Sequence, residues 1–268
     1  MALELVNKLP YDHPYRWDGT LFGGPKLWRP DELGLSLALW LDAEDASTIT
    51  LNGSTVSQWD DKSGNGRHAV QATAANQPTY TVSGIGQKGS LTIPVAPRWL
   101  TYTDNNTVTS ATIATVGEIV DTTGTSRVAG LVTTSTTSDP RKTFAQASDG
   151  SLRFDGAFLE GPALPTNPLV RVSTRTPTNL FDWRNGTLSA QGVAPSDSMS
   201  RNFVVGNAIA FDSFAAGTFT GKVGEVVVTY SELSTSDRQK LEGYLAWKWG
   251  TVAGLPTNHP YKLNPPIL

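Results

Sequence analysis

The chain has 268 residues, a formal net charge of −3 and no cysteine. The lack of cysteine excludes a disulfide framework, a thiolate metal site and a cysteine nucleophile. The 21 basic residues are scattered, so the positive patch that holds a phosphate backbone is missing and we expect no nucleic-acid partner. No run of about 18 apolar residues occurs, which predicts that the protein has no membrane partner.

The segment 1–33 is predicted to be an extended N-terminal arm. Its octapeptide at 9–16, LPYDHPYR, returns near the C-terminus at 255–262 as LPTNHPYK. Glycine, proline and aspartate separate the large apolar side chains of the arm, so these side chains need another surface to cover. That surface is either the chain's own domain or a neighbouring subunit, and the repeated octapeptide favours the neighbour. The arm residues expected to make this assembly contact are Tyr15, Trp17, Phe22 and Trp28.

The part of the chain from 36 to 219 has the pattern of an all-β sandwich. Short runs rich in valine, threonine, isoleucine and aromatic residues are interrupted about every 8 to 12 residues by glycine, asparagine, aspartate or proline. The run at 36–41 is almost continuously apolar, as expected of a strand covered on both sides. The pairs Asn52-Gly53 and Asn185-Gly186 each separate two strand-like runs and predict hairpins. Further strands are predicted at 112–120, 127–132, 143–147, 152–159, 169–173, 203–206 and 222–230.

One amphipathic helix is predicted at 234–249. Ser234 is placed to cap its N-terminus, and Asp237 takes the acidic position of a capping box. An apolar stripe at three- and four-residue spacing should dock on the sandwich; it consists of Leu241, Tyr244, Leu245 and Trp249. Three charged residues are expected largely outside this stripe: Arg238, Glu242 and Lys248.

Two blocks of the sequence carry a family resemblance. The first is WLDAEDASTI at 40–49 with VSQWDDKSGNG at 56–66, and the second is LEGYLAWKWG at 241–250 followed by the C-terminal octapeptide. In this order they resemble laminin-G-like, concanavalin-A-like jelly rolls of the type found in bacteriophage structural proteins. The resemblance implies a two-sheet antiparallel jelly-roll sandwich over 34–268, with one C-terminal helix, an extended tail and the arm in front.

The resemblance also implies a function. It suggests a non-enzymatic virion structural protein, namely a capsid decoration, head-fibre or tail accessory on the surface of the extracellular particle. Such a protein would be a homo-oligomer, would contact other virion proteins and would display loops to a host-surface or environmental polysaccharide. The alternative is a free secreted or surface lectin-like carbohydrate-binding module, and a glycan hydrolase is the third hypothesis.

Catalytic patterns are missing from the sequence, so we expect no enzyme. Sandwich glycanases carry carboxylates at alternate positions of one strand, commonly as Glu-x-Asp-x-x-Glu, and this motif does not occur. The nearest strand carboxylates, Glu118, Asp121 and Glu225, are not spaced to form a pair on one face. There is no Gly-x-Ser-x-Gly motif, and two of the three histidines lie in the repeated octapeptides, where we expect packing roles.

Aromatic side chains in loop-like segments are the candidates for stacking on sugar rings. The predicted carbohydrate-binding residues are Trp99, Tyr102 and Trp183, whereas four other tryptophans are assigned to packing: Trp40, Trp59, Trp247 and Trp249. The loop containing Asp60, Asp61, Ser63 and Asn65 offers oxygen ligands that calcium would accept. Tight turns use the same residues, and we therefore assign no metal and no cofactor.

Overall fold

The computed structural model describes residues 15–16, 20–21, 26–94, 98–104, 106–121, 127–131, 144–154, 157–194, 198–206 and 220–268. Within these ranges the chain forms 21 strands and one α-helix. The first strands are β1 (Tyr15–Arg16), β2 (Thr20–Leu21), β3 (Leu37–Asp42), β4 (Ile49–Asn52), β5 (Thr55–Trp59), β6 (Ala69–Val70), β7 (Thr79–Ile85), β8 (Lys88–Ile93), β9 (Trp99–Tyr102) and β10 (Thr107–Val108). The next are β11 (Ala111–Asp121), β12 (Arg127–Leu131), β13 (Phe144–Ala147), β14 (Leu152–Phe154), β15 (Ala157–Leu159) and β16 (Leu169–Arg175). The last are β17 (Asn179–Arg184), β18 (Thr187–Val193), β19 (Met199–Ser200), β20 (Phe203–Gly206) and β21 (Thr220–Thr229), followed by helix α1 (Thr235–Lys248).

Seventeen strands form one curled antiparallel sheet with two layers. The first layer has the order β18-β17-β16-β11-β21, and both β3 and β8 pair with β21. The second layer has the order β4-β5-β6-β9-β20-β12-β13-β14-β15. Strand β7 joins the layers because it pairs with β8 and with β5. The predicted all-β, two-sheet antiparallel sandwich is therefore confirmed.

The strand β3 shows why the apolar run at 36–41 was informative. All six of its residues are buried. Alternate side chains point to opposite faces of a strand, so Leu39 and Leu41 enter the core between the layers, whereas Trp40 lies on the helix side. Leu37 also lies on the helix side, because the pairing of β3 with β21 shifts its register between Leu39 and Leu37. The expectation of a strand covered on both sides is confirmed.

Both predicted hairpins are present. In the turn between β17 and β18, Asn185 and Gly186 have φ angles of 46° and 77°, the pair of positive values that a type I′ turn requires. Between β4 and β5 the turn passes through Gly53 at φ 64°. Among the strands of four or more residues, three were not predicted: Thr79–Ile85, Lys88–Ile93 and Trp99–Tyr102.

The helix α1 lies on the outer face of the first layer. Ser234 caps it, because its Oγ accepts the backbone N–H of Asp237 at 3.0 Å, so the predicted start is confirmed. The expected exposure of two charged side chains is wrong: Glu242 and Lys248 are buried. Lys248 faces the sheet, and the C-terminal tail covers Glu242, whose Oε2 lies 3.2 Å from His259 Nε2.

The arm residues divide into two groups. Tyr15 lies in β1, which pairs with β2, while Trp17 and Phe22 lie outside the described residues. Trp28 is 3% exposed, and its ring lies 6.2 Å from that of Tyr244 in α1. Trp28 therefore covers its own chain rather than a neighbour, because the outer face of the first layer leaves an apolar surface beside α1.

The segment at 26–28 is also tied to the C-terminus. The backbone N–H of Trp28 donates to Pro266, and that of Leu268 donates to Lys26. A β-bridge joins Leu27 to Ile267 between them. The segment 26–28 of the predicted arm thus packs on the C-terminal end of its own chain. Among the described residues there is no helix with the length and apolar character needed to cross a membrane.

Candidate functional site

A buried carboxylate lies between α1 and the first layer. In β21 the side chains of Val226 and Val228 point into the core, so Glu225 and Val227 point outwards to the helix. Glu225 is completely buried. A carboxylate in such a place needs hydrogen-bond donors on all sides, because an unpaired buried charge is very costly.

Four donors surround Glu225. Its Oε1 accepts Trp40 Nε1 at 2.7 Å and the hydroxyl of Tyr244 at 3.0 Å. Its Oε2 accepts Lys248 Nζ at 2.7 Å and Trp249 Nε1 at 2.7 Å. Since a carboxylate has about four acceptor positions, the group is saturated. We call Glu225 with these donors and Asp42 the Glu225 cluster.

Lys248 joins two carboxylates. Its Nζ also lies 2.7 Å from Asp42 Oδ1, at the end of β3. The other oxygen of Asp42 lies 3.0 Å from Lys62 Nζ in the loop after β5. The Glu225 cluster therefore connects α1, β21, β3 and that loop, and it fixes the position of the helix C-terminus on the sheet.

The charges of the cluster follow from its geometry. Burial alone would raise the pKa of Asp42, but Lys248 and Lys62 outweigh burial and hold that pKa below its ordinary value. Burial raises the pKa of Glu225, Lys248 opposes this shift only in part, and the charge of Asp42 adds to the rise. Burial would lower the pKa of Lys248, but Glu225 and Asp42 raise it. Lys248 is therefore charged at neutral pH.

These shifts predict the response of the fold to acid. Asp42, Asp45 and Asp104 have lowered pKa values in the folded protein, against about 3.9 for an unfolded aspartate. Their contribution to stability is present above about pH 4 and is lost as the pH falls through the folded pKa values. The pKa of Glu225 is raised instead, so protonation of Glu225 offsets part of this loss of stability. We expect the urea midpoint to fall below about pH 4, and less steeply in Asp42→Asn. Equal steepness in the two proteins would contradict the assigned charge of Asp42.

An open groove of about 600 Å³ lies beside the Glu225 cluster. Its volume is within the usual range of small-ligand sites, about 300 to 1,000 Å³. The walls come from the β7–β8 turn, the segment 165–168, the β17–β18 turn and the end of α1. Its polar and aromatic lining includes Lys88, Asn167, Asn185, Trp247 and Thr251. We call this feature the helix-end groove.

The lining of the groove is held in place from behind. Trp247 is half-buried, and its Nε1 donates to the backbone oxygen of Tyr261 at 2.8 Å. The Oδ1 of Asn185 accepts the backbone N–H of Val170 at 2.9 Å. Thr251 Oγ1 is buried without a hydrogen-bond partner among the residues that the structure describes. The groove therefore combines a positioned indole with the amides of Asn167 and Asn185.

Sequence features explain why the groove forms at this point. Gly250 has a φ of 73°, the left-handed conformation that ends helices. The tail then turns back, and Lys262 Nζ donates to the backbone oxygens of Val252, Ala253 and Leu255. The segment after α1 therefore folds back against the β17–β18 turn, where Gly254 lies close to Asn185 and His259 lies close to Gly186, and the groove opens beside this contact.

Two of the predicted sugar-binding aromatics do not form one platform. Trp99 and Tyr102 lie in β9 rather than in a loop. Residues three apart in a strand point to opposite faces. Tyr102 lies on the same face of β9 as Leu100 and packs against the core between the layers. Trp99 lies on the opposite face, which is the outer face of the second layer. Trp99 and Tyr102 thus lie on opposite faces of a strand rather than in a loop, and their role in carbohydrate binding stays a prediction.

The third predicted aromatic, Trp183, lies in β17 on the helix side. Its ring stacks on Phe181 with centroids 5.4 Å apart. The guanidinium of Arg238 in α1 lies 4.4 Å from its centroid. Trp183 is half-buried and packs against the helix-side apolar cluster, so the structure does not bring it together with Trp99 or Tyr102.

The oxygen-rich loop after β5 is organised by Asp61. Its Oδ1 accepts the backbone N–H groups of Trp40 and Ser63, and its Oδ2 accepts that of Arg67 at 2.9 Å. Asn65 Nδ2 donates to the backbone oxygen of Leu37 at 2.9 Å. The loop oxygens thus hold the turn against β3. In the described ranges no three His, Asp or Glu side chains are grouped as metal ligands.

The groove residues were not among the predicted site residues. Trp247 was assigned to packing and Asn185 to a hairpin turn, and Asn167 and Thr251 had no assigned role. The available signal was the end of the helix, since glycine and proline after α1 predict a turn that leaves side chains exposed. Which other segment would face that turn depends on the sheet topology and not on the local sequence.

Comparison with known proteins identifies the fold. No family model and no curated protein matches the sequence. Among solved structures, the chain is similar to a GH54 α-L-arabinofuranosidase soaked with 4-nitrophenyl α-L-arabinofuranoside, with a TM-score of 0.57 and 11% identity over 80% of this chain and 59% of that one. An arabinofuranosidase complexed with arabinofuranosyl-α-1,2-xylobiose has a TM-score of 0.56 and 12% identity over 80% of this chain and 59% of that one.

A third similar structure is the binding domain of Paraclostridial Mosquitocidal Protein 1. Its TM-score is 0.53 at 8% identity, over 80% of this chain and 53% of that one. The chain thus spans between half and two thirds of the length of these three structures. At such low identity the likeness shows the β-sandwich fold alone.

Proposed function

We propose that this chain is a non-catalytic glycan-binding module and that the helix-end groove holds the sugar. The observation that carries the proposal is the lining of the groove. Sugar sites combine an aromatic face with amide and hydroxyl groups that hydrogen-bond the ring substituents. Trp247 supplies the aromatic face, and Asn167 and Asn185 supply the amide groups.

A binding role fits the groove better than hydrolysis. Glycoside hydrolysis generally uses two carboxyl groups flanking the scissile bond. Among the described residues no carboxylate lines the groove. The nearby Asp42 and Glu225 are both buried and both contact Lys248, so they are engaged in fixing the helix. The similar arabinofuranosidases act on arabinofuranosides, and the similar toxin domain is a binding domain; these roles agree with sugar recognition as the proposed function.

We propose a bacteriophage particle as the setting of this module. The support is the closing block at 241–262, which resembles phage structural proteins. In this setting the chain is a homo-oligomeric decoration, head-fibre or tail component on the virion surface, in contact with other virion proteins. Mass spectrometry of purified particles against soluble lysate tests the setting. A chain absent from particles would favour the alternative, a free lectin-like module.

The groove makes a specific binding prediction. A glycan array with the labelled chain should identify a neutral oligosaccharide, and calorimetry with that sugar should show weaker binding by Trp247→Ala and Asn167→Ala. We expect a loss on the order of tenfold for each, because each change removes a single contact worth about 1.4 kcal/mol. Asn167 is exposed, so its replacement should leave the fold intact.

The controls are the two half-buried tryptophans outside the groove. Trp99→Ala and Trp183→Ala should bind the same sugar with unchanged affinity. The groove assignment is wrong if Asn167→Ala binds as the parent does while Trp99→Ala loses binding. Binding of no array glycan at all would reject the glycan-binding function itself.

A further inference from the structure

Two arginines and a tyrosine meet at the end of the sandwich opposite the groove. They come from three separate segments: Arg67 follows β5, Arg201 lies between β19 and β20, and Tyr230 follows β21. The two guanidinium carbons lie 5.3 and 4.3 Å from the centre of the Tyr230 ring. Arg67 Nη1 donates to the backbone oxygen of Ala38 at the start of β3. The groove lies beyond Asp42, at the other end of β3, about 13 Å away at 3.3 Å per residue.

The positive charge of these arginines is only partly compensated. Arg201 Nη2 lies 2.9 Å from Asp104 Oδ2. The other oxygen of Asp104 accepts the backbone N–H and the Nδ2 of Asn106, so this carboxylate is shared between Arg201 and Asn106. Asp61 accepts the backbone N–H of Arg67. Within the described ranges, no carboxylate forms an ion pair with the guanidinium of Arg67.

The guanidinium groups also have unused donors. The Nε atoms of Arg67 and Arg201 are buried, and neither has a hydrogen-bond partner among the described residues. Buried donors in folded proteins are nearly always paired with protein, water or a bound group. The side chain of Arg201 is 19% exposed and Arg67 is half-buried, so solvent reaches the outer edges of both groups.

We propose that Arg67 and Arg201 bind the carboxylate of an acidic sugar. A planar guanidinium matches a carboxylate with two parallel hydrogen bonds, and the pair offers one more positive charge than Asp104 neutralises. Loops at the ends of β-sandwiches are common binding surfaces, and tyrosine, arginine and asparagine are favoured there. This site is separate from the helix-end groove and does not depend on it.

Calorimetry of the full chain with trigalacturonate at low salt tests the site. We expect the parent chain to bind trigalacturonate. We expect the affinity to fall by about tenfold or more in Arg67→Gln and in Arg201→Gln, because each change removes one charge-assisted contact. Added salt should also weaken it. The matched control is Arg98→Gln, at the opposite end of β9 from Asp104, which should bind as the parent does.

A second variant separates binding from a purely structural role. Asp104→Asn removes the carboxylate that pairs with Arg201, so it should strengthen trigalacturonate binding, whereas a structural role for the cluster predicts no gain. Trp247→Ala should leave this binding unchanged, so failure of the groove and failure of this site are distinguishable. The proposal is overturned if the parent chain does not bind trigalacturonate, if both glutamine variants bind it normally, or if acetate and inorganic phosphate bind equally well.

Discussion

Replacing Glu225 by glutamine is expected to lower the free energy of unfolding by about 3 to 5 kcal/mol, the usual cost of removing one partner from a buried ion pair. The change removes one of the two carboxylates that contact Lys248 and leaves Asp42. The amide N–H₂ of the new glutamine would also face hydrogen-bond donors instead of acceptors, because all four groups around Glu225 donate hydrogen bonds. Urea unfolding of the parent and Glu225→Gln measures the difference as a shift of the midpoint at an unchanged slope.

The matched control is Glu118→Gln on the neighbouring strand β11. Glu118 pairs with Lys222 at 3.4 Å, and both side chains are partly exposed. Exposed ion pairs contribute little, so we expect a change below about 1 kcal/mol. Similar losses in the two variants would contradict the view that burial makes the Glu225 cluster important. A large loss confined to Glu225→Gln would mean that the cluster anchors α1 and the groove wall that α1 supplies.

Local signals made the helix and both hairpins predictable. Ser234 with Asp237, and Asn185 with Gly186, use hydrogen-bonding and φ requirements that depend only on residues near in sequence. The covered strand at β3 was predictable because its apolar run had no alternation. These features do not depend on which strands become neighbours.

The site was less predictable because it depends on contacts between distant segments. Lys248 follows Leu241 by seven residues and Tyr244 by four, which places it on the apolar stripe, but its charge suggested exposure. Its carboxylate partners, Asp42 and Glu225, come from β3 and β21. Only the pairing of these strands shows that the lysine has a buried partner.

The aromatic assignments were limited in the same way. Trp99 and Tyr102 were interpreted as loop residues because proline, aspartate and asparagine surround them. The strand β9 forms between these loop residues, since its partners β20 and β6 are supplied from distant parts of the chain. Tertiary pairing overrides local loop composition here.

Replacing Asp182 by asparagine is expected to destabilise the sandwich by a similar amount, about 3 to 5 kcal/mol. Asp182 points into the core between the layers. Its Oδ1 lies 2.8 Å from Arg171 Nε, and its Oδ2 lies 3.2 Å from Arg184 Nε. It also accepts the hydroxyl of Ser173 at 2.5 Å. Without this carboxylate, two buried guanidinium groups would share one site and repel each other.

The arginines explain why the whole sandwich should respond to Asp182→Asn. Arg171 donates to the backbone oxygens of Ala147, Gly150 and Ser151, and Arg184 Nη2 donates to Gly150 at 2.6 Å. They therefore connect β16 and β17 of the first layer to the β13–β14 turn of the second. Burial and the charge of Arg171 lower the pKa of Arg184, as expected for two cations held close together in the core.

Two further variants decide whether the cost of Asp182→Asn comes from unpaired charge. Asp31→Asn is the exposed control, because Asp31 forms a 3.4 Å pair with Arg29 at the surface, and it should change stability by less than about 1 kcal/mol. Adding Arg184→Met to Asp182→Asn removes one of the two unpaired cations, and it should recover part of the lost stability in urea unfolding. A double variant less stable than Asp182→Asn alone would instead mean that the bonds from Arg184 to the backbone outweigh the charge repulsion, and that the arginines join the layers mainly as hydrogen-bond donors.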